Sequence, residues 1–287
     1  MTVRLLFALA VCAASPAMAQ DQLREGGKLP LTNGVASIEG ASGGGLATWA
    51  LIAGREAENG LGGSAHVTQM ELTDFGWTSY GLAFGAFDRL EVGYAHQRLD
   101  TRSAGLALGL GRGFALDQDI VSAKLRVAGD AVYGAALMPQ IAVGAQWKRS
   151  GDPALVRALG AAATSGLDLT VSATKLLMAP GVLVSATARW AKANQGGLLG
   201  FGSAGSGRSL QFEGSVGKLL TRRWMVGAEL RTKPDNLAFA RERAAVDLFS
   251  AWAATPALTL TAATVDLGPI ATLAGQRGAL LSLQAAF

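Results

Sequence analysis

The feature that constrains this chain most is an alternation of apolar and polar residues with a period of two, repeated in segments of about ten residues. In residues 89–98, Leu90, Val92 and Tyr94 share one face while Glu91, Gly93, Ala95 and Gln97 share the other. Residues 118–127 set Val121, Ala123, Leu125 and Val127 against Ser122, Lys124 and Arg126. Residues 140–148 set Ile141, Val143, Ala145 and Trp147 against Gln140, Gly144, Gln146 and Lys148. The pattern continues with Leu167, Leu169 and Val171 opposite Asp168, Thr170 and Ser172, then Val184, Ala186 and Trp190 opposite Ser185, Thr187 and Arg189. Further on, Leu210, Phe212 and Val216 oppose Gln211, Glu213 and Ser215, and Trp224, Val226 and Leu230 oppose Glu229 and Arg231. Val246, Leu248 and Trp252 oppose Asp247, and Leu281, Leu283 and Phe287 oppose Ser282 and Gln284. Side chains alternate across a strand and not across a helix, so these segments are strands.

A soluble β-sandwich also alternates, but its wet face is usually rich in Lys and Glu. Here the polar face carries Gly, Ser, Thr, Gln and isolated charges, with only 16% charged residues and 38 glycines overall. After the N-terminus no apolar run reaches the roughly 18 residues of a membrane-spanning helix. Strands of this length crossing lipid must close on themselves to leave no edge. The expected fold is therefore all-β: a closed antiparallel transmembrane β-barrel of roughly 12–14 strands. The strand number is loosely bounded, because residues 32–39, 47–53 and 64–72 alternate weakly.

The start of the chain reads as a secretory signal peptide over residues 1–19. A basic start ends at Arg4, an apolar run covers residues 5–14, and Ala17 and Ala19 are the small residues before a cleavage site. Acylation of Cys12 is the competing reading, but Val11 stands where a small residue is wanted. Cys12 is the single cysteine, so cleavage after Ala19 leaves a mature chain with no disulfide, thiolate metal site or cysteine nucleophile. Loss of Arg4 lowers the formal charge of +4 by one. That bias is weak and scattered, which argues against nucleic acid. The expected organisation is a signal peptide at 1–19, a Gly-rich segment at 20–46 and a barrel at 47–287.

With the C-terminus on the periplasmic side, Trp147 and Trp190 close strands at the outer interface. Trp224 and Trp252 then lie at the periplasmic one, and Phe287 joins them at the chain end. This gives two aromatic girdles. Periplasmic links are short (87–88, 220–222, 254–256) and outer links long (100–117, 193–207, 232–242), with 129–139 as an exception. In the link at 149–166, Asp152 as N-cap, Pro153 at the first position, Leu155, Val156 and Leu159 on one face and Gly160 at the end predict a short helix. It reads as an ordered surface loop or as a cover over the pore mouth.

Two stretches, LTNGVASIEGASGGGLATWALIAG (31–54) and FDRLEVGYAHQRLDT (87–101), resemble the bacterial outer-membrane family catalogued as domain of unknown function 3034. The resemblance implies an outer-membrane barrel, located in the bacterial cell outer membrane, and brings no catalytic residues.

Chemistry gains little from the residues present. An outer-membrane phospholipase arrangement wants a His with a Ser two residues on, yet Thr68 follows His66 and Arg98 follows His96. His96 and Asp100, four apart, are a weak protease-like couple. Two separated histidines give no metal-ligand spacing, Gly43-Gly44-Gly45 lacks the Lys of a phosphate loop, and no cofactor is implied. Glu91, Lys124, Arg126, Asp168, Arg189, Glu213, Glu229, Arg231 and Asp247 are expected to line the lumen, with Lys124 and Arg126 near acids such as Asp168. They either pair and fill it or form a selectivity lining for a small polar solute. The readings are a channel or transport-linked barrel, a structural or accessory barrel with a filled lumen and, third, an outer-membrane hydrolase. Expected partners are outer-membrane lipid, the barrel-assembly machinery through the C-terminal strand, and lipopolysaccharide at Arg231, Lys233, Arg241 and Arg243.

Overall fold

The computed structural model describes residues 28–32, 35–55, 60–133, 135 and 137–287. The signal peptide expected at 1–19 lies outside the described residues. Twelve strands form one closed antiparallel wall: β1 (Leu61–Leu72), β2 (Gly76–Ala86), β3 (Leu90–Asp100), β4 (Ala115–Ala128), β5 (Gln140–Ser150) and β6 (Ser165–Leu177), then β7 (Val182–Ala191), β8 (Ser209–Thr221), β9 (Trp224–Arg231), β10 (Ala245–Ala253), β11 (Leu258–Asp266) and β12 (Arg277–Ala286). Each strand pairs with its neighbour in sequence, and β12 returns to pair with β1, from Gly278 opposite Leu72 to Ala286 opposite Ser64. Closure leaves no strand edge to satisfy in lipid.

The outer face follows the alternation. Val92, Tyr94, Val121, Val171, Phe212, Val216, Leu248 and Leu281 all stand exposed, while Glu91, Ser122, Ser172, Glu213, Ser215, Asp247 and Ser282 are buried on the other side. Trp147, Trp190, Trp224, Trp252 and Phe287 are exposed, and Trp224 sits directly opposite Trp252 in the β9–β10 register. Of the six tryptophans, Trp49 and Trp77 are instead buried inside.

One end of the wall carries the long links at 101–114, 151–164, 192–208, 232–244 and 267–276. The other end carries tight turns such as 87–89, where Phe87 and Asp88 have positive φ (58° and 48°) and Arg89 N closes the turn on Ala86 O. The link at 129–139 is the long exception at this end. The helix expected after Asp152 forms at Pro153–Ala158 (α2, following α1 at Ala104–Ala107), with Gly160 at φ 92° behind it.

The wall begins at Leu61 and not at residue 47. Of the three weakly alternating stretches, 64–72 is a wall strand. Its pattern blurs because near the long-link end Gln69 and Glu71 face outward while Met70 and Leu72 are buried inward. Residues 47–53 are almost wholly buried, together with 35–46, inside the barrel. Eight strands enclose only enough space for their own side chains, and 16 or more leave a channel. Twelve leave room for a piece of chain, which this protein supplies itself.

Candidate functional site: the filled lumen

The segment at 35–53 has almost no regular structure beyond a two-residue ladder of Val35–Ala36 against Ser42–Gly43. Its backbone N–H and C=O groups therefore need partners elsewhere. Local turns satisfy some, as Ile38 N with Gly45 O and Gly44 N with Ala47 O, and the inward side chains of the wall provide many of the rest. Glu229 Oε2 accepts from Leu46 N (2.7 Å) and Ala47 N (3.3 Å), and Glu213 Oε2 accepts from Thr48 N (2.7 Å). Thr174 Oγ1 accepts from Ala50 N, Glu91 accepts from Ser42 N and Ala53 N, and Gln284 accepts from Ala36 N. In the other sense, Lys124 Nζ donates to Ser42 O and Leu51 O (both 2.9 Å), Gln140 to Ala50 O, Thr187 to Thr48 O, and Ser79 and Gln97 to Ile38 O. Apolar packing completes the fit. Leu46, Trp49 and Leu51 lie in one cluster with Met70, Trp77, Leu176, Met225, Phe249 and Leu280 of the wall.

Gly40 adopts φ 84° where the segment turns against β3, and a Cβ there would lie 2.7 Å from Ala95 Cβ. At Gly44 a Cβ would lie 1.7 Å from Glu229 Oε1, so only glycine lets the backbone approach this carboxylate.

Two charged clusters meet the segment. In the first, Glu39 enters a nest of three cations: Lys148 Nζ and Arg231 at 2.5 Å from Oε1 and Arg189 at 3.2 Å from Oε2. The wall's own acids complete it, Asp168 on Lys148 (2.9 Å) and Arg189 (3.4 Å), Glu213 on Arg189 (2.5 Å) and Arg231 (3.5 Å). Three cations thus face three acids, one of them from the segment. In the second, Glu229 and Asp247 stand opposite each other across the β9–β10 pair. Neither contacts a cation among the described ion pairs. Glu229 takes N–H donors from the segment and Ser215 Oγ (2.7 Å), and both Asp247 oxygens lack a hydrogen-bond donor.

Of the nine residues expected in the lumen, eight are buried on the inner side: Glu91, Lys124, Asp168, Arg189, Glu213, Glu229, Arg231 and Asp247. Lys124 pairs with Glu91 (3.2 Å) and not with Asp168. Arg126 sits at the short-turn rim, where it bonds Asp88 and Gly129 O, two residues along β4 from Lys124 and too far down to reach the central charges. Of the four cations assigned to lipopolysaccharide, Arg231 and Lys233 turn into the mouth instead, because Glu39 and Glu242 hold them there. Arg241 and Arg243 stay exposed, beside Asp235 and Asp266. Glu39 and Lys148 were not singled out by sequence. Lys148 shares strand parity with Gln146, which was the available signal; Glu39 had only its isolation in a Gly-rich stretch.

The long-link end is also covered. The turn at Asn194–Gly197 lies over the mouth: Gln118 and Lys148 donate to Gly196 O, and Gln195 bonds Glu242. Burial pushes the Glu242 carboxyl up from its ordinary range, and Lys233 opposes this. Below the turn, a cavity of about 50 Å³ is lined by Glu39, Gln97, Gln195, Arg231, Lys233 and Ile270, among others. Helix α2 packs outside it, with Val156 against Gly200. The remaining histidine couple is external: His96 Nδ1 lies 2.9 Å from Asp119 and Nε2 3.6 Å from Asp117, while Asp100 accepts from Arg102 N.

Among solved structures the KdgM porin is similar, with 7% identity, a TM-score of 0.52, and coverage of 78% of this chain and 99% of that one. The NanC porin aligns at 10% identity and TM-score 0.49 over 78% of this chain and 98% of its own. Outer membrane phospholipase A from Escherichia coli aligns at 7% and 0.41 over 77% and 89%. No match is found among curated proteins. A closed 12-strand antiparallel wall with an apolar outer band and aromatic girdles defines a bacterial outer-membrane β-barrel protein. Within that class, the chain belongs to the family described as "Protein of unknown function (DUF3034)", whose profile spans residues 32–284.

Proposed function

We propose that the protein is an outer-membrane channel for small polar solutes, held shut by its own segment at 35–53. The observation that carries this is how the segment is held. It docks through side chain–backbone hydrogen bonds and ion pairs, while the wall's ladder closes without it. Its withdrawal leaves the wall's ladder paired and exposes a mixed lining, in which Lys124, Lys148, Arg189, Arg231, Glu213 and Asp168 stand beside apolar Met225, Phe249 and Leu280. The similar KdgM porin has also been solved in complex with disordered oligogalacturonate, which supports a solute path through this fold. The short-turn end is periplasmic in this reading, so the segment withdraws on that side. Phe287, exposed at the β12–β1 seam, marks the strand read by the assembly machinery, and lipopolysaccharide meets Arg241 and Arg243. The reading assigns no catalysis. His96 touches only carboxylates and the Tyr80 ring, with no hydroxyl nucleophile among its described contacts.

The filled lumen also supports a second reading, a structural barrel whose segment never leaves. A disulfide between T48C and T187C separates them, since Thr187 Oγ1 already bonds Thr48 O at 2.7 Å. In planar bilayers the oxidised variant should be silent and reduction should restore channel openings. Silence in both states makes the structural reading the right one, and equal openings in both overturn closure by the segment.

A further inference from the structure

The Glu39 nest contains more than a docking contact requires. Backbone hydrogen bonds hold the segment at 36, 42, 46–48, 50 and 53 with no charge on the segment itself. At Glu39 the segment instead offers one free carboxylate, and three cations from three separate strands converge on it: Lys148 from β5, Arg189 from β7 and Arg231 from β9. Without Glu39 these cations face only Asp168 and Glu213, leaving one positive charge unmatched in a buried site. Guanidinium forks and an ammonium arranged this way fit a carboxylate whatever molecule bears it.

The nest also borders a cavity beneath the Asn194–Gly197 turn. Glu39 and Arg231 line the cavity of about 50 Å³ under the mouth, together with Lys233 and the polar groups of Gln97 and Gln195. Displacing the Asn194–Gly197 turn, which Lys148 and Glu242 hold, opens this cavity to the long-link end with Lys233 and Arg231 in its lining.

We propose that Lys148, Arg189 and Arg231 form a binding site for the carboxylate of a small acidic solute, and that Glu39 occupies it as a built-in competitor. The solute then both passes and opens. Its carboxylate replaces that of Glu39 on the three cations, no net charge enters the nest, and the segment loses its one ionic anchor. This rests on the channel reading for its consequence but not for its test, because binding is measured without flux.

The experiment uses the full protein in detergent micelles, titrated with glucuronate, glutarate or glucose at constant ionic strength. Calorimetry should show E39Q binding glucuronate and glutarate about tenfold or more tighter than the unaltered protein, because the competitor is gone. Glucose should bind neither. Should E39Q fail to fold, hydrogen exchange on the unaltered protein decides: glucuronate, and not glucose or an equal concentration of sodium chloride, should raise exchange over residues 35–49. The proposal is overturned if E39Q binds no tighter, if glucose matches glucuronate, or if salt alone loosens the segment. A silent channel with tight glucuronate binding would sink the channel reading and leave the site.

Discussion

The two buried clusters hold the same segment by opposite means. Around Glu39 the wall is cationic and the segment brings the missing negative charge. Around Glu229 and Asp247 the wall is acidic, and the segment brings N–H groups and glycines that allow close approach. The first cluster is a matched set in which each partner needs the others. The second has a surplus acid, Asp247, whose oxygens have no donor. Breaking a buried ion pair strands a charge, whereas removing a surplus one strands nothing. The two sites should therefore respond to mutation very differently.

The largest effect is expected from Glu39→Ala, which leaves three buried cations facing two acids. Removing one partner of such a set costs about 3–5 kcal/mol, read as a lower denaturant midpoint of the folded barrel and free exchange over residues 35–53. A loss below about 1 kcal/mol would show that the nest is loosely coupled to the fold. Gly44→Ala comes next. Its Cβ collides with Glu229 Oε1 and must push segment and wall apart, at a cost of about 1–3 kcal/mol. Here exchange should rise at 42–48 while Glu39 stays docked; loss of protection along the whole segment would mean that the two clusters act as one. Asp247→Asn is expected to be the mildest, within about 0.5 kcal/mol of the unaltered protein or slightly stabilising, since the amide offers Glu229 a donor and removes a like charge. A loss comparable to that of Glu39→Ala would end the distinction between the clusters.

What could be read in advance follows from range. The outer face is written locally: Val92 and Tyr94, or Leu281 and Leu283, face lipid because they lie two apart, and any window of ten residues shows it. The girdle at Trp147, Trp190, Trp224 and Trp252 and the helix behind Asp152-Pro153 are equally local. The inner charges could be placed by parity but not matched, since Lys124 finds Glu91 and Asp168 finds Lys148 through strand neighbours that no periodicity specifies. The segment at 35–53 was beyond reach for a related reason. Its order comes from side chains up to 248 positions away, as Ala36 N with Gln284 shows. Inverted patterning at Gln69 to Leu72 and the apolar lining at Met225, Phe249 and Leu280 are the wall's answer to that buried neighbour.

The seam between β12 and β1 has a consequence for how the molecule is made. Thr68 and Ser282, 214 positions apart, bond at 2.7 Å across it, and Phe287 O accepts from Gly63 N there. Contacts of such separation form late, because the chain between them must be gathered first. The segment at 35–53 precedes β1 in the chain and ends up encircled by the completed wall. It must already lie inside the curling sheet when the seam zips, or else thread a finished ring whose far mouth is roofed by the Asn194–Gly197 turn. Seam closure is thus also an act of enclosure, and a chain that zips early without its cargo would be a distinct, trapped product of assembly.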